Sequence, residues 1–195
     1  ADTVWLARGE CVDVAAVLRA RGWREGFVKP CVGATARETL RVPATAAGFA
    51  AGQAHVDRLL PHEDLMLQPF LPAVLARGEW SAVFVDGCIT HCVRKIPVPG
   101  DYRVQDDFGA KDEPYLPSAA ERALAEQAMA AVPRCAGGAS AADGAPLLYC
   151  RADFLWRDDG GCVLTELELV EPSLFFRHGP AAATALVTAL LRRLR

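Results

Sequence analysis

Apolar positions recur along this chain at two spacings, and the spacing sorts its segments. Alternating runs bounded by Gly or Pro predict strands. These are "TVWLA" (3–7), "GFVKP" (26–30), "ETLRV" (38–42) and "DLMLQ" (64–68), the second and fourth stopped by Pro30 and Pro69. Asp13 predicts a helix start and Gly22 its stop, giving a helix to Arg21. Residues 46–60 predict a weaker helix, diluted by Gly48 and Gly52. "EWSAVFV" and "CITHCVRKI" flank Asp86-Gly87, a pair suited to a type I′ hairpin turn.

Residues 97–117 hold four prolines and read as an ordered loop rather than an element. "SAAE" (118–121) is a capping box that opens a helix to about Val132. "RCAGGASAADGA" (134–145) reads as a flexible connection. A second hairpin follows: "PLLYCRADFLW", the turn "RDDGG", then "CVLTELEL". Pro180 suits the first position of a last helix. Helices mixed with antiparallel hairpins make the class α+β.

The second hairpin can be registered. With Asp159-Gly160 as its two central turn residues, Asp153 faces Glu166 and Arg151 faces Glu168. Side chains alternate along a strand, so all four project from one face. Opposed Cβ atoms lie about 4.5–5.5 Å apart. Three carboxylates and one guanidinium then share a small patch, and Asp153 opposite Glu166 is a repulsive pair without local relief. Two readings fit: a hard divalent cation with oxygen ligands, or a solvated surface of charged pairs.

Composition narrows the classes. At 195 residues the chain can form one large domain or two small lobes. A hydrophobic content of 52 % and a charged content of 23 % support a buried core rather than disorder. The net charge of −3 argues against a nucleic-acid partner. No apolar run reaches the ~18 residues of a membrane helix, and no signal peptide is visible. Ala1 is not an initiator Met. Seven cysteines, odd in number and irregular in spacing, fit a reduced cytoplasmic protein. "CITHC" is no zinc signal, because on a strand Cys88 and Cys92 point away from His91. Only Lys29, Lys95 and Lys111 stand against eighteen arginines, so each lysine draws notice.

The order of segments then carries a resemblance. "FVKP" and a small-residue loop precede "LQPFLPAVLARGEWSAVFVDG", "KIPVPGDYRVQ", "RADF" and "ELELVEPS". This series resembles the ATP-grasp superfamily. The Gln-x-x-Leu-Pro hinge, the Gly-acidic pair and the Ile-Pro-x-x-Gly segment with a downstream Arg look like glutathione synthetase. "RADF" resembles the metal strand of D-alanine–D-alanine ligases. The whole looks closest to the group that contains the D-cycloserine-forming ligase. The fold so implied has two α+β lobes with antiparallel sheets gripping a nucleotide. It assigns about 26–68 to a smaller lid lobe and about 69–195 to a larger catalytic lobe. A preceding N-terminal domain and an upstream lysine of the family are not seen.

The resemblance also implies roles. Lys29 would reach nucleotide phosphates, under a flexible loop, 31–37, in which Gly33 lets backbone N–H groups approach. Gln68, Pro69, Phe70 and Leu71 would hold adenine, and Glu79 the ribose. Lys95 and Arg103 would contact phosphates. Asp153, Glu166 and Glu168 would ligate two Mg²⁺ ions that bridge ATP; family members often carry Asn where Glu168 stands. Arg151 would steady the transferred acyl group, and Ser173 would meet the acceptor substrate. Each position also has an ordinary structural or solvated alternative. The implied activity is an ATP-dependent carboxylate–amine ligase acting on small molecules, homo-oligomerisation being allowed. A nucleotide-binding fragment without its own ligase activity is the rival reading. A kinase-like phosphotransferase lacks its His-Arg-Asp loop.

Overall fold

The computed structural model describes residues 1–135 and 146–195. The predicted flexible connection therefore lies, from residue 136 on, outside the described residues. The chain divides into two units, Ala1–Leu71 and Pro72–Arg195.

In the first unit, strands β1 (Val4–Leu6), β2 (Glu25–Pro30), β3 (Leu40–Pro43) and β4 (Leu65–Pro69) form one sheet in the order β1-β4-β2-β3. All its pairs are antiparallel. Helix α1 (Val14–Arg21) starts where the Asp13 carboxylate accepts from the Ala16 N–H at 2.8 Å. It stops at Gly22, whose φ of 66° suits glycine. Val14, Leu18, Val28, Val42, Val56, Leu65 and Leu67 close the core. The glycines that weaken helix α2 (Ala46–Leu59) have a packing reason. A Cβ on Gly48 would lie 2.2 Å from the Pro43 carbonyl oxygen, and one on Gly52 2.7 Å from Val42. The predicted strand 38–42 begins two residues late, because Glu38 has a φ of 54° and belongs to the preceding turn.

The second unit holds α3 (Val74–Arg77), β5 (Glu79–Val85), β6 (Cys88–Ile96), β7 (Lys111–Pro114) and α4 (Ala119–Cys135). β8 (Tyr149–Trp156), β9 (Cys162–Glu168) and α5 (Pro180–Arg193) follow. Its antiparallel sheet runs β7-β6-β5-β8-β9. Asp86 and Gly87 have φ of 52° and 80°, as a type I′ turn requires. The reading of 97–117 as pure loop is corrected by β7, which pairs with the end of β6. "KDEP" shows no apolar alternation because it forms an edge strand, whose pairing needs no buried side chain. One face of the sheet is apolar. There Trp80, Ala82, Phe84, Ala152, Phe154 and Trp156 pack with Ala125 and Ala128 of α4. Glu121, in the capping box with Ser118, also accepts from Trp156 Nε1 at 2.8 Å and Tyr115 O–H at 2.9 Å. That ties the start of α4 to the sheet.

Candidate active site

The other face of this sheet is charged, and its register sets out three rows. Asp112, Lys95 and Glu79 lie abreast on β7, β6 and β5. Val93, Ser81, Asp153 and Glu166 form the next row, from β6 to β9. His91, Val83, Arg151 and Glu168 form the third. The predicted pairs Asp153–Glu166 and Arg151–Glu168 are present, though the turn is not the two-residue one expected. Near the turn Trp156 pairs with Cys162, and the Arg157 N–H donates to the Gly161 carbonyl at 2.7 Å. A register shift at Asp153/Phe154 leaves Thr165 as an extra residue in β9, which restores the expected pairing at the carboxylates. Thr165 Oγ1 donates to the Asp153 carbonyl at 3.0 Å.

Asp153 does have local relief, contrary to the expectation of an uncompensated repulsion. Lys95 Nζ lies 3.1 Å from Asp153 Oδ2 and also pairs with Glu79. Arg151 donates to both Asp153 oxygens at 2.9 Å, and also to Glu168. Asp153 is fully buried, and Glu79, Lys95 and Arg151 are each 8 % exposed. Burial works to raise the Asp153 carboxyl, but the charges of Lys95 and Arg151 outweigh it and hold it at about 2. Glu79 fares differently. Burial pushes it up to about 7, repulsion from Asp153 and Glu166 adds to that, and Lys95 opposes both. Burial and nearby carboxylates raise Glu168 too, against Arg151.

Four carboxylates thus meet two cations, so the fully ionised group keeps two negative charges. Ligand oxygens of Asp153, Glu166 and Glu168 all lie within 4.8 Å of one another. Hard oxygen donors with surplus negative charge suit Mg²⁺, so the residues fit that ion. Among the described residues, no other group of carboxylates, histidines or cysteines is so gathered.

The remaining predicted residues lie in both units, and each is described within its own. Arg103 holds Asp101 through Nε at 3.0 Å and Nη2 at 2.6 Å, with its guanidinium 3.8 Å over Phe108. Ser173 is exposed, and its carbonyl accepts from Arg151 Nη1 at 3.2 Å. In the first unit, Lys29 is buried near the end of β2, opposite Met66. Gly33 is exposed, and a Cβ there would meet nothing closer than 3.9 Å, so the fold itself does not demand glycine. The Gln68 amide donates to Thr3 Oγ1 at 2.9 Å. Pro69 ends β4. Phe70 is buried beneath the Arg41 guanidinium at 4.3 Å, Glu25 holding that arginine, and Leu71 is half-buried.

No protein-family model matches the chain. It is 31 % identical over 175 residues to the cycloserine biosynthesis protein DcsG of Streptomyces lavendulae, covering 88 % of this chain and 56 % of that protein. The crystal structure of D-cycloserine synthetase DcsG matches with a TM-score of 0.83 at 29 % identity, over 99 % of this chain and 64 % of that one. ATP-grasp ligase PsnB, complexed with minimal precursor, Mg and ADP, matches at 0.58 and 15 % identity, over 96 % and 52 %. The chain has the ATP-grasp fold. D-alanine–D-alanine ligase from Bacillus anthracis, complexed with ATP, shares the ATP-grasp fold at a TM-score of 0.65 and 14 % identity, over 98 % and 58 %. The ATP-grasp chain spans less than two thirds of the length of each of these relatives. In sequence and in fold it stands close to the cycloserine synthetase group.

Proposed function

We propose that the protein is an ATP-dependent ligase that activates a carboxylate as an acylphosphate and joins it to an amine or related nucleophile. The observation that carries this is the acidic cluster of Asp153, Glu166 and Glu168 beside Lys95 and Arg151. The likeness to DcsG supports it.

In the first step a substrate carboxylate oxygen attacks the γ-phosphorus of ATP, and ADP leaves. In the second, the amine attacks the acyl carbon, and the acyl–oxygen bond breaks to release phosphate. Such chemistry asks a protein mainly for positioning and charge stabilisation. Asp153, Glu166 and Glu168 would hold two Mg²⁺ ions, which when bound neutralise phosphate charge. Lys29, Lys95 and Arg103 are assigned to the phosphates. Lys95 then turns from Glu79 and Asp153, and Arg103 from Asp101. Gln68 to Leu71 are assigned to adenine, through backbone groups and the Phe70 ring. Glu79, relieved of Lys95, is assigned to the ribose hydroxyls. The loop of residues 31–37, with Gly33, is assigned to cover the phosphates. Arg151 faces the oxyanion of the tetrahedral intermediate, and Ser173 the acceptor.

The partners are a small-molecule carboxylate and amine. No helix among the described residues is long and apolar enough to cross a membrane, and a cytoplasmic setting is part of this proposal. The share of the relatives' length that the chain spans favours a second reading, in which these residues bind Mg·ATP but do not ligate on their own. Phosphate release and product mass, measured against a panel of amino acids, dipeptides and O-substituted serines, separate the two. In calorimetry, Glu166→Gln should abolish the Mg²⁺-dependent part of ATP affinity and leave the fold intact. Unchanged Mg²⁺ dependence in that variant would remove the cluster from the mechanism.

A further inference from the structure

The segment between β9 and α5, residues 169–179, returns across the charged face. Two of its residues, Glu171 and Phe175, hold φ of 47°, which is strained for a residue with a Cβ. Such backbone persists only where its surroundings over-determine it, and four attachments do so here. Arg151 Nη1 donates to the Ser173 carbonyl at 3.2 Å. His91 Nε2 lies 3.0 Å from the Leu174 carbonyl oxygen. Phe175 is buried on Val83 and Val93. Asp112, whose side chain is 6 % exposed, takes both Arg177 and His178, the former through Nε at 3.0 Å. Gly179 fits the same scheme: a Cβ there would fall 2.4 Å from the His91 ring.

We propose that Asp112 and His91 are positioning residues for the acceptor step, acting through this strap. The inference rests on the ligase reading above. Neither residue makes a direct bond to the acidic cluster, but a short path leads there. Asp112 fixes Arg177, whose guanidinium lies 5.2 Å from the Phe175 ring, and the Arg151 guanidinium lies 5.6 Å from the same ring. His91 fixes the Leu174 carbonyl, next to the Ser173 carbonyl that takes Arg151 Nη1. Arg151 gives its other donors to Asp153 and Glu168. The strap therefore supplies neutral partners to the guanidinium, the Ser173 carbonyl at Nη1 and the Phe175 ring, while Nε and Nη2 go to carboxylates. The same strap presents Glu171 and Ser173 to solvent, where an incoming amine can meet them. Loosening it should misplace the acceptor and Arg151 together, and leave the nucleotide contacts as they are.

The test uses the full-length protein. Asp112→Asn keeps the shape and removes the charge that gathers Arg177 and His178. The expected result is a rise of about tenfold in acceptor KM and a several-fold fall in kcat, with the KM for ATP within about twofold. Amide exchange across residues 170–179 should quicken at least about tenfold, with β5 and β8 unchanged. Asp112→Glu should recover part of the loss. Asp86→Asn, which releases Arg192 and Arg193 at the far end of β5, should change none of these. His91→Gln repeats the test at the other attachment, so a poorly folding Asp112 variant does not end it. Faster strap exchange with an unchanged acceptor KM overturns the positioning role and leaves the ligase reading standing. An equal rise in both KM values overturns it as well. A wild-type protein that releases no phosphate from ATP with any acceptor overturns the ligase reading, and this inference with it.

Discussion

Asp153 stays ionised in a fully buried place because two cations reach it, Lys95 from β6 and Arg151 from its own strand. Removing either cation would leave a buried charge half-compensated, the costly outcome for such networks. Glu79 also pairs with Lys95, but burial outweighs that cation, and its position makes a prediction about pH. Its folded pKa, about 7, lies above the ordinary 4.5. A carboxyl so raised stabilises the fold fully below its unfolded value and loses that contribution as pH rises through the folded one. Between about pH 5 and pH 8, wild-type protein should therefore lose thermal stability relative to Glu79→Gln, whose profile stays flatter. Parallel profiles would show that Glu79 does not titrate in this range. The sequence brought Asp153, Glu166, Glu168 and Arg151 together because one hairpin carries them. Lys95 joins them from 58 positions away, and no local pattern encodes that contact. The same holds for Asp112, His91 and His178: the first lies in a stretch that read as loop, and the histidines have no spacing that marks them.

At the level of elements, alternation and caps were legible wherever side chains carry the signal. The capping box at Ser118 and Glu121, the turn at Asp86-Gly87 and Pro180 at the head of α5 are all local chemistry, and all are present. β7 was missed because its pairing is made by backbone at the sheet edge. The register of β8 and β9 was reached through the wrong turn, and the extra residue at Thr165 put it right. Helix α2 shows propensity overridden by packing, and that can be tested. Gly48→Ala should gain about 1 kcal/mol of helix propensity. The new Cβ, however, would sit 2.2 Å from the Pro43 carbonyl oxygen. Backbone displacement of that kind costs about 1–3 kcal/mol, so the variant should be less stable in urea denaturation. A more stable Gly48→Ala protein would show that α2 can shift away from β3 at no cost.

For the molecule as a whole, fold class followed from the mixture of hairpins and amphipathic helices, and the ATP-grasp fold from the order of its motifs rather than from any one of them. Periodicity alone could not show how the elements divide, since that depends on which apolar faces meet. Ala1–Leu71 closes a core of Val28, Val42, Leu65 and Leu67 around its own sheet, and Pro72–Arg195 closes another around Trp80, Phe84, Phe154 and Trp156. The smaller unit has the less favourable ratio of surface to volume, because about 60 residues bury only roughly 60 % of what the unfolded chain exposes. Its stability should therefore respond to its own core. Leu67 is fully buried, and Leu67→Ala should remove about 2–5 kcal/mol by lost burial and residual cavity. Hydrogen exchange in rising urea, read segment by segment, should then show β2 and β4 losing protection at lower urea than in the wild type, with β5 and β8 holding theirs. Phe154→Ala should do the reverse. If either substitution lowers protection equally across both units, they unfold as a single cooperative body, and separate cores do not mean separate stabilities in this protein.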